Sequence, residues 1–365
     1  MFLSRLDIYN FRNYQNQVVV PGEGINILCG PNAQGKTNFI EAVQLACSGK
    51  SFRALRDAEM IAKGSGWARL LAVLEQNTGQ CEIEVFLRPG EKRIKKNGKP
   101  VSLPPLGWPG VVVFTPQDLT LVSGPPQERR RFFDEELGLL SPQYSYSLKR
   151  YNKVLLQRNQ LLREIKSGRK KKSSLYPWDE QLCLYGAKVI KERFALTKRL
   201  FSTACDVYRQ VTGGEKLSFV YLSTVKISGA ESESEIREVF SRQLKESFDE
   251  EAEYSRTKSG PHRDDLSIWV DGKEARVYSS RGQQRSVVLS LKISLLKMWR
   301  EEAGEYPILL MDDVFSELDE KRRSFVLEVV GGELQSFVTT AQERHLSLGN
   351  IKNARFFSVH SGKIS

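Results

Sequence analysis

The clearest chemistry in this chain lies at 30–37. These residues follow the mostly apolar run 25–28, which predicts a buried strand, and they fit the phosphate-binding pattern G-x-x-x-x-G-K-[ST]. They read Gly30-Pro31-Asn32-Ala33-Gln34-Gly35-Lys36-Thr37. Glycines let successive backbone N–H groups face an anion, and a helix that begins near Gly35 adds the positive end of its dipole. The pattern predicts a nucleoside triphosphate site, with Lys36 at the β- and γ-phosphates and the Thr37 hydroxyl on Mg²⁺; a plain glycine turn is the alternative.

A second pair of polar residues follows another apolar strand. The run 308–311 ends in Asp312 and Asp313, and successive strand residues point in opposite directions. We expect Asp312 to support Mg²⁺ and its waters, and Asp313 to orient or deprotonate a water for attack on the γ-phosphate. Many strands end in acidic residues, so the pair gains its meaning from the phosphate loop upstream.

A hydroxyl and a glycine stand before a predicted helix at 283–302. The stretch Ser280-Arg281-Gly282-Gln283 would place them at the helix N-terminus, where an anion is favoured. An ordinary serine N-cap is the alternative.

Two further motifs leave their roles open. His262, within Gly260-Pro261-His262-Arg263-Asp264-Asp265, has the chemistry of a general base, but we prefer a structural turn or a partner contact. The run Arg129-Arg130-Arg131 fits either phosphate contacts or buried ion pairs.

Size, charge and cysteine content limit the classes of protein. A length of 365 residues predicts a large domain with a second lobe, and a net charge of +11 favours a polyanionic partner, either nucleic acid or an anionic membrane. The five cysteines are widely spaced without a C-x-x-C pair, which predicts neither a disulfide framework nor a zinc site. The chain shows neither a signal-peptide layout nor a run of about 18 apolar residues, so we expect a soluble, cytoplasmic protein.

The pattern of elements indicates that the chain leaves one domain, builds a helical arm and returns. We place the first domain segment at 1–138, the arm at 139–255 and the second domain segment at 256–365. Apolar residues at helical spacing predict two packed helices in the arm, joined by a basic loop that contains Lys170-Lys171-Lys172. Between Lys149 and Arg199, fifteen Lys and Arg face four Asp and Glu. This excess fits a solvated face or contact with phosphates.

The order of these motifs resembles ABC-type ATPases, and most closely the RecF family within their SMC/Rad50 branch. The phosphate loop, the Ser280 signature, the strand that ends in Asp312-Asp313 and Ser316-Glu317-Leu318-Asp319 follow one another as in that family. Further stretches carry the resemblance: Asn10-Phe11-Arg12-Asn13-Tyr14, the loop through Asn38, 116–134 and 260–265. The implied fold class is α/β, an ABC-type (Rad50 head-like) P-loop ATPase domain with an inserted helical arm.

The resemblance also implies a role for each site residue, with ATP and Mg²⁺ as cofactors. Gln117 would sense the γ-phosphate and join Thr37 and Asp312 at the Mg²⁺. Ser280, Gly282 and Gln283 of one protomer would face the phosphate loop, 30–38, of the other. ATP would then be sandwiched in a homodimer, with Asp319 at the interface. Lys36, Asp312, Asp313, Gln117 and Ser280 would carry hydrolysis.

The implied function is an ATP-driven dimer that clamps double-stranded or gapped DNA, with RecR as a partner and with a role beside RecO in placing RecA at gaps. Asp313 stands where most ABC ATPases have Glu, 338–341 lacks the switch histidine, and Arg281 replaces the first signature glycine. Because Asp313 is one methylene shorter than Glu, we expect slow hydrolysis, and the resemblance implies that DNA stimulates it. A nucleotide-gated DNA-binding module with negligible turnover is one alternative. The ATPase subunit of a membrane transporter is another, which the basic arm argues against.

Overall fold

A computed structural model describes residues 1–101, 108–229, 231–341 and 354–365. The chain forms two compact units. The first comprises Met1–Leu119, Gln210–Gly213 and Arg281–Ser365, and the second comprises Thr120–Arg209 and Gly214–Ser280. The arm predicted at 139–255 lies in the second unit except for 210–213, and this unit also takes in residues on both sides of the predicted arm.

The described strands are numbered in chain order. They are β1 (Phe2–Phe11), β2 (Tyr14–Val19), β3 (Ile25–Cys29), β4 (Ala68–Gln76), β5 (Gly79–Arg88), β6 (Glu91–Lys96), β7 (Lys99–Val101), β8 (Val111–Phe114), β9 (Leu217–Leu222), β10 (Asp265–Val270), β11 (Lys273–Glu274), β12 (Ile308–Met311), β13 (Ser336–Thr340), β14 (Arg355–His360) and β15 (Lys363–Ile364). The helices are α1 (Lys36–Ser48), α2 (Thr120–Ser123), α3 (Pro126–Leu140), α4 (Pro142–Lys166), α5 (Tyr176–Thr212), α6 (Glu233–Glu246), α7 (Phe248–Tyr254), α8 (Ala275–Tyr278), α9 (Arg281–Ala303) and α10 (Glu320–Val330).

Two sheets enclose the core of the first unit. One is antiparallel with the order β2-β1-β4-β5-β6-β7, and its strands β4 and β5 alternate between buried and more exposed residues. The other has the order β15-β14-β3-β13-β12-β8, in which β14, β3, β13, β12 and β8 run parallel. Strands β12 and β8 are continuous apolar runs, as expected for a parallel sheet that is covered on both faces. Strand β3 is also buried, but it includes Asn26, whose side-chain amide donates to the carbonyls of Gly22 and Gly24. Helix α1 shares one buried cluster with both sheets, through Phe39, Ile40 and Val43.

The parallel sheet determines where the predicted site residues meet. Strand β13 lies between β3 and β12, and β8 pairs with the other edge of β12. The phosphate loop follows β3, the two aspartates follow β12, and the short 3-10 turn Pro116–Leu119 follows β8. Their carboxyl ends therefore share one edge of the sheet, which is where open α/β sheets place their ligands.

The second unit contains the predicted pair of long helices, α4 and α5, together with a three-stranded sheet of order β11-β10-β9. Helix α6 lies in an acidic stretch, 231–253, and is additional to the sequence prediction. Ser232 and Glu235 form a capping box at its start, and Ile236, Phe240 and Leu244 are buried along one face.

The two motifs of open role, at 129–131 and 260–265, meet in the interior of the second unit. The Arg129 guanidinium donates to both carboxylate oxygens of Asp265, at 2.7 and 3.0 Å, and Arg130 donates to the Asp264 carbonyl at 2.9 Å. His262 Nδ1 lies 2.7 Å from the Tyr151 hydroxyl, and its Nε2 lies 3.1 Å from a backbone carbonyl. Burial lowers the pKa of His262 to about 4. These contacts support the structural interpretation of His262 and the ion-pair interpretation of Arg129.

Candidate nucleotide site

The phosphate loop connects β3 to α1 and holds its lysine over its own backbone. Lys36 Nζ donates to the carbonyls of Gly30, at 2.6 Å, and Pro31, at 2.8 Å. Gly30 has a φ of 157°, and a β-carbon there would lie 2.2 Å from the Val359 carbonyl oxygen. No other residue fits at Gly30 without moving the neighbouring strand, so the pattern's first glycine is required by close packing.

A cleft of about 290 Å³ opens between the loop and the ends of β12 and β13. Its lining combines the loop, the start of α1, both aspartates, a threonine and an arginine. These residues are Asn32, Ala33, Gly35, Lys36, Thr37, Asn38, Arg53, Asp312, Asp313 and Thr339. The structure thus brings together Lys36, Thr37, Asp312 and Asp313, as the sequence predicts.

Asp312 is the centre of a hydrogen-bonded group at the floor of the cleft. Its Oδ1 accepts from the hydroxyl of Thr37 at 2.9 Å and from that of Thr339 at 2.8 Å. Burial raises the pKa of Asp312, the two hydroxyls oppose the rise, and the nearby Asp313 adds to it. Because a cation favours the charged form of a carboxylate, a divalent ion beside Asp312 would offset the cost of burial.

Asp313 differs from its neighbour in both backbone and exposure. It is half-buried and has a φ of 52°, in the left-handed region that aspartate and asparagine tolerate better than most residues. Its N–H donates to Thr339 Oγ1 at 2.8 Å, so one threonine hydroxyl connects the two aspartates. Asp313 lines the same cleft as Asp312, one residue further along the chain.

The charges of the cleft act on one another. Burial lowers the pKa of Lys36, whereas the carboxylates of Asp313 and Asp312 oppose this shift. The two aspartates therefore stabilise the charged form of Lys36 in a partly dry site.

Two hairpin turns, one between β1 and β2 and the other between β14 and β15, hold the phosphate loop through hydrogen bonds to Gln34. The Gln34 carbonyl accepts from Asn13 Nδ2 at 2.9 Å and from the Gly362 N–H at 3.1 Å, and its side-chain oxygen accepts from the Ser361 N–H at 2.8 Å. The buried Tyr14 hydroxyl donates to the Gly35 carbonyl at 3.0 Å. Since a β-carbon at Gly362 would lie 2.2 Å from the Asn13 carbonyl oxygen, only glycine lets the two turns approach this closely.

An arginine that the sequence did not single out also lines the cleft. Arg53 Nε donates to Glu41 at 3.0 Å, and its terminal nitrogen donates to Asn38 Oδ1. Glu41 is fully buried and also accepts two hydrogen bonds from Arg12, at 2.7 and 2.8 Å. Burial acts to raise the pKa of Glu41, but the hydrogen bonds from Arg12 and Ser51 and the arginine charges outweigh it and lower the pKa. The ionised Glu41 holds Arg53 beside the phosphate loop.

The signature residues are divided between the two units. Gly282 and Gln283 lie in the first turn of α9, in the first unit, whereas Ser280, the residue before this helix, is the last residue of the second unit. Within the described ranges, none of the three is among the residues that line the cleft. Gln117 lies in the 3-10 turn after β8 and is likewise absent from the described lining.

Two ion pairs connect α9 to the loops at the sheet edge. The buried Lys292 of α9 lies 3.3 Å from Asp118, next to Gln117, and Arg285 donates to Glu317 at 3.0 Å. Asp319 caps α10 by accepting from the Arg322 N–H at 2.9 Å. The signature helix is therefore attached to the loops that follow β8 and β12.

The cleft offers few protein ligands for a metal ion. Within 1–101, 108–229, 231–341 and 354–365, no group of three or more His, Cys, Asp or Glu side chains could hold an ion. Thr37 and Asp312 fit Mg²⁺, because this ion usually takes one or two protein oxygens and completes its shell with waters and substrate phosphates.

In the same described ranges, no helix is long and apolar enough to cross a membrane.

Comparison with known proteins gives concordant results for sequence and structure. Residues 5–259 match the family model described as an AAA domain. The chain is 46% identical to the "DNA replication and repair protein RecF" of Pelotomaculum thermopropionicum over 100% of both chains, and 42% identical to that of Desulforudis audaxviator over 100% of this chain and 99% of the relative.

A comparison with solved structures finds the same family as the comparison with curated relatives. The structure titled "recombination mediator protein RecF-ATP in RecFOR pathway" matches with a TM-score of 0.92 and 33% identity, covering 100% of this chain and 97% of that one. An Smc head domain from Pyrococcus furiosus matches with a TM-score of 0.57 and 14% identity, over 100% of this chain and 95% of that one, which shows a shared fold.

Proposed function

The chain belongs to the RecF family of DNA replication and repair proteins, and from that premise we propose an ATP-dependent DNA-binding protein that dimerises on ATP and hydrolyses it slowly. The observation that carries the proposal is the Asp312 group: one buried carboxylate that accepts from Thr37 of the phosphate loop and from Thr339, within a cleft that Lys36 also lines. Such a pairing of a phosphate loop with an acidic strand end is the arrangement that phosphoryl transfer requires.

Each residue has a distinct task in this proposal. Lys36 and the N–H groups of the loop bind the β- and γ-phosphates, and Arg53 adds a second cation at the same cleft. Thr37, Asp312 and the predicted ligand Gln117 would hold Mg²⁺, which when bound neutralises charge on the phosphate oxygens. Asp313, half-buried in the cleft lining, orients a water and accepts its proton.

The signature residues are proposed to act on the other copy in a dimer. Gly282 and Gln283 do not line the described part of the cleft in their own protomer, which supports a role in trans together with Ser280. The pairs Lys292–Asp118 and Arg285–Glu317 give α9 a physical connection to the loops around the nucleotide. A signature that meets the γ-phosphate of the partner would then couple dimer formation to ATP.

The wider roles follow from the family. The titles of the solved relatives place RecF in the RecFOR pathway as a recombination mediator, and we propose the same pathway for this chain, with RecR as a partner, RecO and RecA in the pathway, and gapped DNA as the site of action. We assign ATP hydrolysis to 1–138 with 256–365 and DNA holding to the arm, 139–255. The cytoplasm, where bacterial DNA lies, is the proposed location.

The test measures binding of labelled duplex and gapped DNA by fluorescence anisotropy with ATP, with ADP and without nucleotide. We expect ATP to tighten binding by roughly tenfold or more relative to ADP, within the range that coupled sites usually show. Equal affinity in all three states would contradict a nucleotide-dependent DNA clamp. Binding should also weaken steeply with salt and need no membrane component, in contrast to a transporter subunit.

A further inference from the structure

The outer face of helix α4 carries positive charge without any carboxylate to balance it. We define the α4 outer face as the exposed residues that share one side of the helix: Tyr146, Lys149, Arg150, Lys153, Leu156, Gln157 and Gln160. Residues 142–163 contain no Asp or Glu, and the first acidic residue of α4 is Glu164, one turn beyond this face. A solvated helix usually mixes charges of both signs on its surface, so a face of one sign indicates a polyanionic partner.

The two sides of α4 use their basic residues in different ways. Arg158, on the inner side, is buried and pairs with Asp179 at 2.7 Å and with Glu251 at 2.8 Å. In the part of the chain that the structure describes, Lys149, Arg150 and Lys153 form no ion pair. Structural ion pairing thus accounts for the buried arginine but not for the three outer cations.

The outer face is also partly pre-ordered. Arg150 Nε donates to the Tyr146 hydroxyl at 3.2 Å, and its guanidinium carbon lies 5.4 Å from the centre of the Tyr146 ring. Tyr146 remains 52% exposed, so its hydroxyl and ring are open to a partner. A guanidinium held on an aromatic ring loses less side-chain freedom when it binds a phosphate.

We infer that the α4 outer face contacts the phosphate backbone of DNA, an inference that rests on the proposed DNA-binding function and names the surface that performs it. Lys149 and Lys153 are four residues apart, about 6 Å along the helix, and one DNA strand offers a phosphate about every 3.4 Å of its axis. The three cations can therefore each reach a different phosphate. Tyr146, Gln157 and Gln160 add neutral hydrogen-bonding groups of the kind that position DNA without reading its sequence.

The basic loop between α4 and α5 is the competing surface and provides a matched control. It carries three consecutive exposed lysines, Lys170, Lys171 and Lys172. Lys172 Nζ lies 3.8 Å from the ring centre of Phe248, so one of the three already has a partner within the unit. The α4 outer face offers its cations from a rigid helix, whereas this loop offers them from a turn at Gly168, where φ is 74°.

The experiment compares two triple variants that each remove three positive charges. One is Lys149→Ala, Arg150→Ala and Lys153→Ala, and the other is Lys170→Ala, Lys171→Ala and Lys172→Ala. Duplex DNA binding is measured in ATP over a series of salt concentrations. For the α4 variant we expect the slope of log K against log salt to become shallower by about 2.7, since each lost phosphate contact removes about 0.9. For the loop variant we expect the wild-type slope.

The outcomes separate this inference from the function on which it rests. An α4 variant with the wild-type slope overturns the inference, and equal changes in both variants overturn it too, because they would report net charge and not a contact face. If the wild-type protein fails to bind DNA at all, the proposed function fails instead. The single variant Lys153→Gln guards against misfolding of the triple, and it should reduce the slope by about 0.9.

Discussion

Replacement of Lys36 by alanine is expected to reduce ATP turnover by roughly 10²–10³-fold, the cost of losing a charged donor aimed at the reacting phosphate. Lys36 is buried at the cleft and is held by the carbonyls of Gly30 and Pro31, so its ammonium is fixed where the phosphates would lie. Both steady-state phosphate release at saturating ATP and the ATP dissociation constant, measured by calorimetry, should report the loss.

The matched control is Lys50→Ala. Lys50 is an exposed lysine just after the same helix, α1, and lies outside the described lining of the cleft. Its removal should change turnover by less than about threefold, as for surface substitutions in general. Turnover in Lys36→Ala that equals turnover in the control would exclude this loop as the phosphate site.

Replacement of Asp313 by asparagine is expected to separate turnover from binding. The amide cannot accept a proton, so hydrolysis should fall by roughly 10²-fold, the lower range for a lost general base. ATP affinity and ATP-dependent DNA binding should stay within about threefold of wild type, because asparagine has nearly the same shape and also tolerates the left-handed φ of 52° at this position. Single-turnover hydrolysis and DNA anisotropy on the same preparation measure both quantities.

An aspartate in a similar backbone conformation serves as the control for this change. Asp271 has a φ of 47° in the turn between β10 and β11, and Asp271→Asn should leave turnover unchanged. If Asp313→Asn also leaves hydrolysis, ATP binding and DNA binding unchanged, the nucleotide-gated module with negligible turnover becomes the better description. The shorter side chain of Asp313, compared with the Glu of most related ATPases, is the feature that favours that alternative.

The parts of the site that are predictable from sequence are those encoded by local pattern. The mostly apolar run 25–28 and the glycine pattern after it identify β3 and the phosphate loop, because strand, turn and helix start are all determined by neighbouring residues. The pairing of Thr37 with Asp312 spans 275 residues, and it was predictable only because both motifs follow buried strands of one parallel sheet. The predicted RecF family and the predicted α/β, Rad50 head-like fold class were confirmed by the curated relatives and the solved structures.

Other parts of the site depend on contacts that leave no local signal. Thr339 reads as an ordinary strand residue, and only the position of β13 between β3 and β12 places its hydroxyl on Asp312. The Ser361-Gly362 dipeptide indicates a hairpin turn, but nothing in it points to the phosphate loop that it holds. Arg53 reaches the cleft because Glu41 is buried, which composition and periodicity do not show.

Helix α6, in contrast, was predictable from the sequence, because its apolar residues and its cap follow the pattern of a helix. Ile236, Phe240 and Leu244 recur at helical spacing behind the capping residues Ser232 and Glu235. The high acidic content of this stretch obscured the pattern.

Steady-state ATP hydrolysis per protomer, measured against protein concentration with and without duplex DNA, distinguishes a nucleotide site shared by two copies from one that a single copy completes. A site completed by Ser280, Gly282 and Gln283 of a second copy predicts a rate per protomer that rises with concentration, rises further with DNA and disappears in Lys36→Ala. A rate per protomer that is independent of concentration would contradict the shared site. A negligible rate under all conditions, with ATP still bound, would contradict the ATPase and leave the nucleotide as a ligand that gates DNA binding.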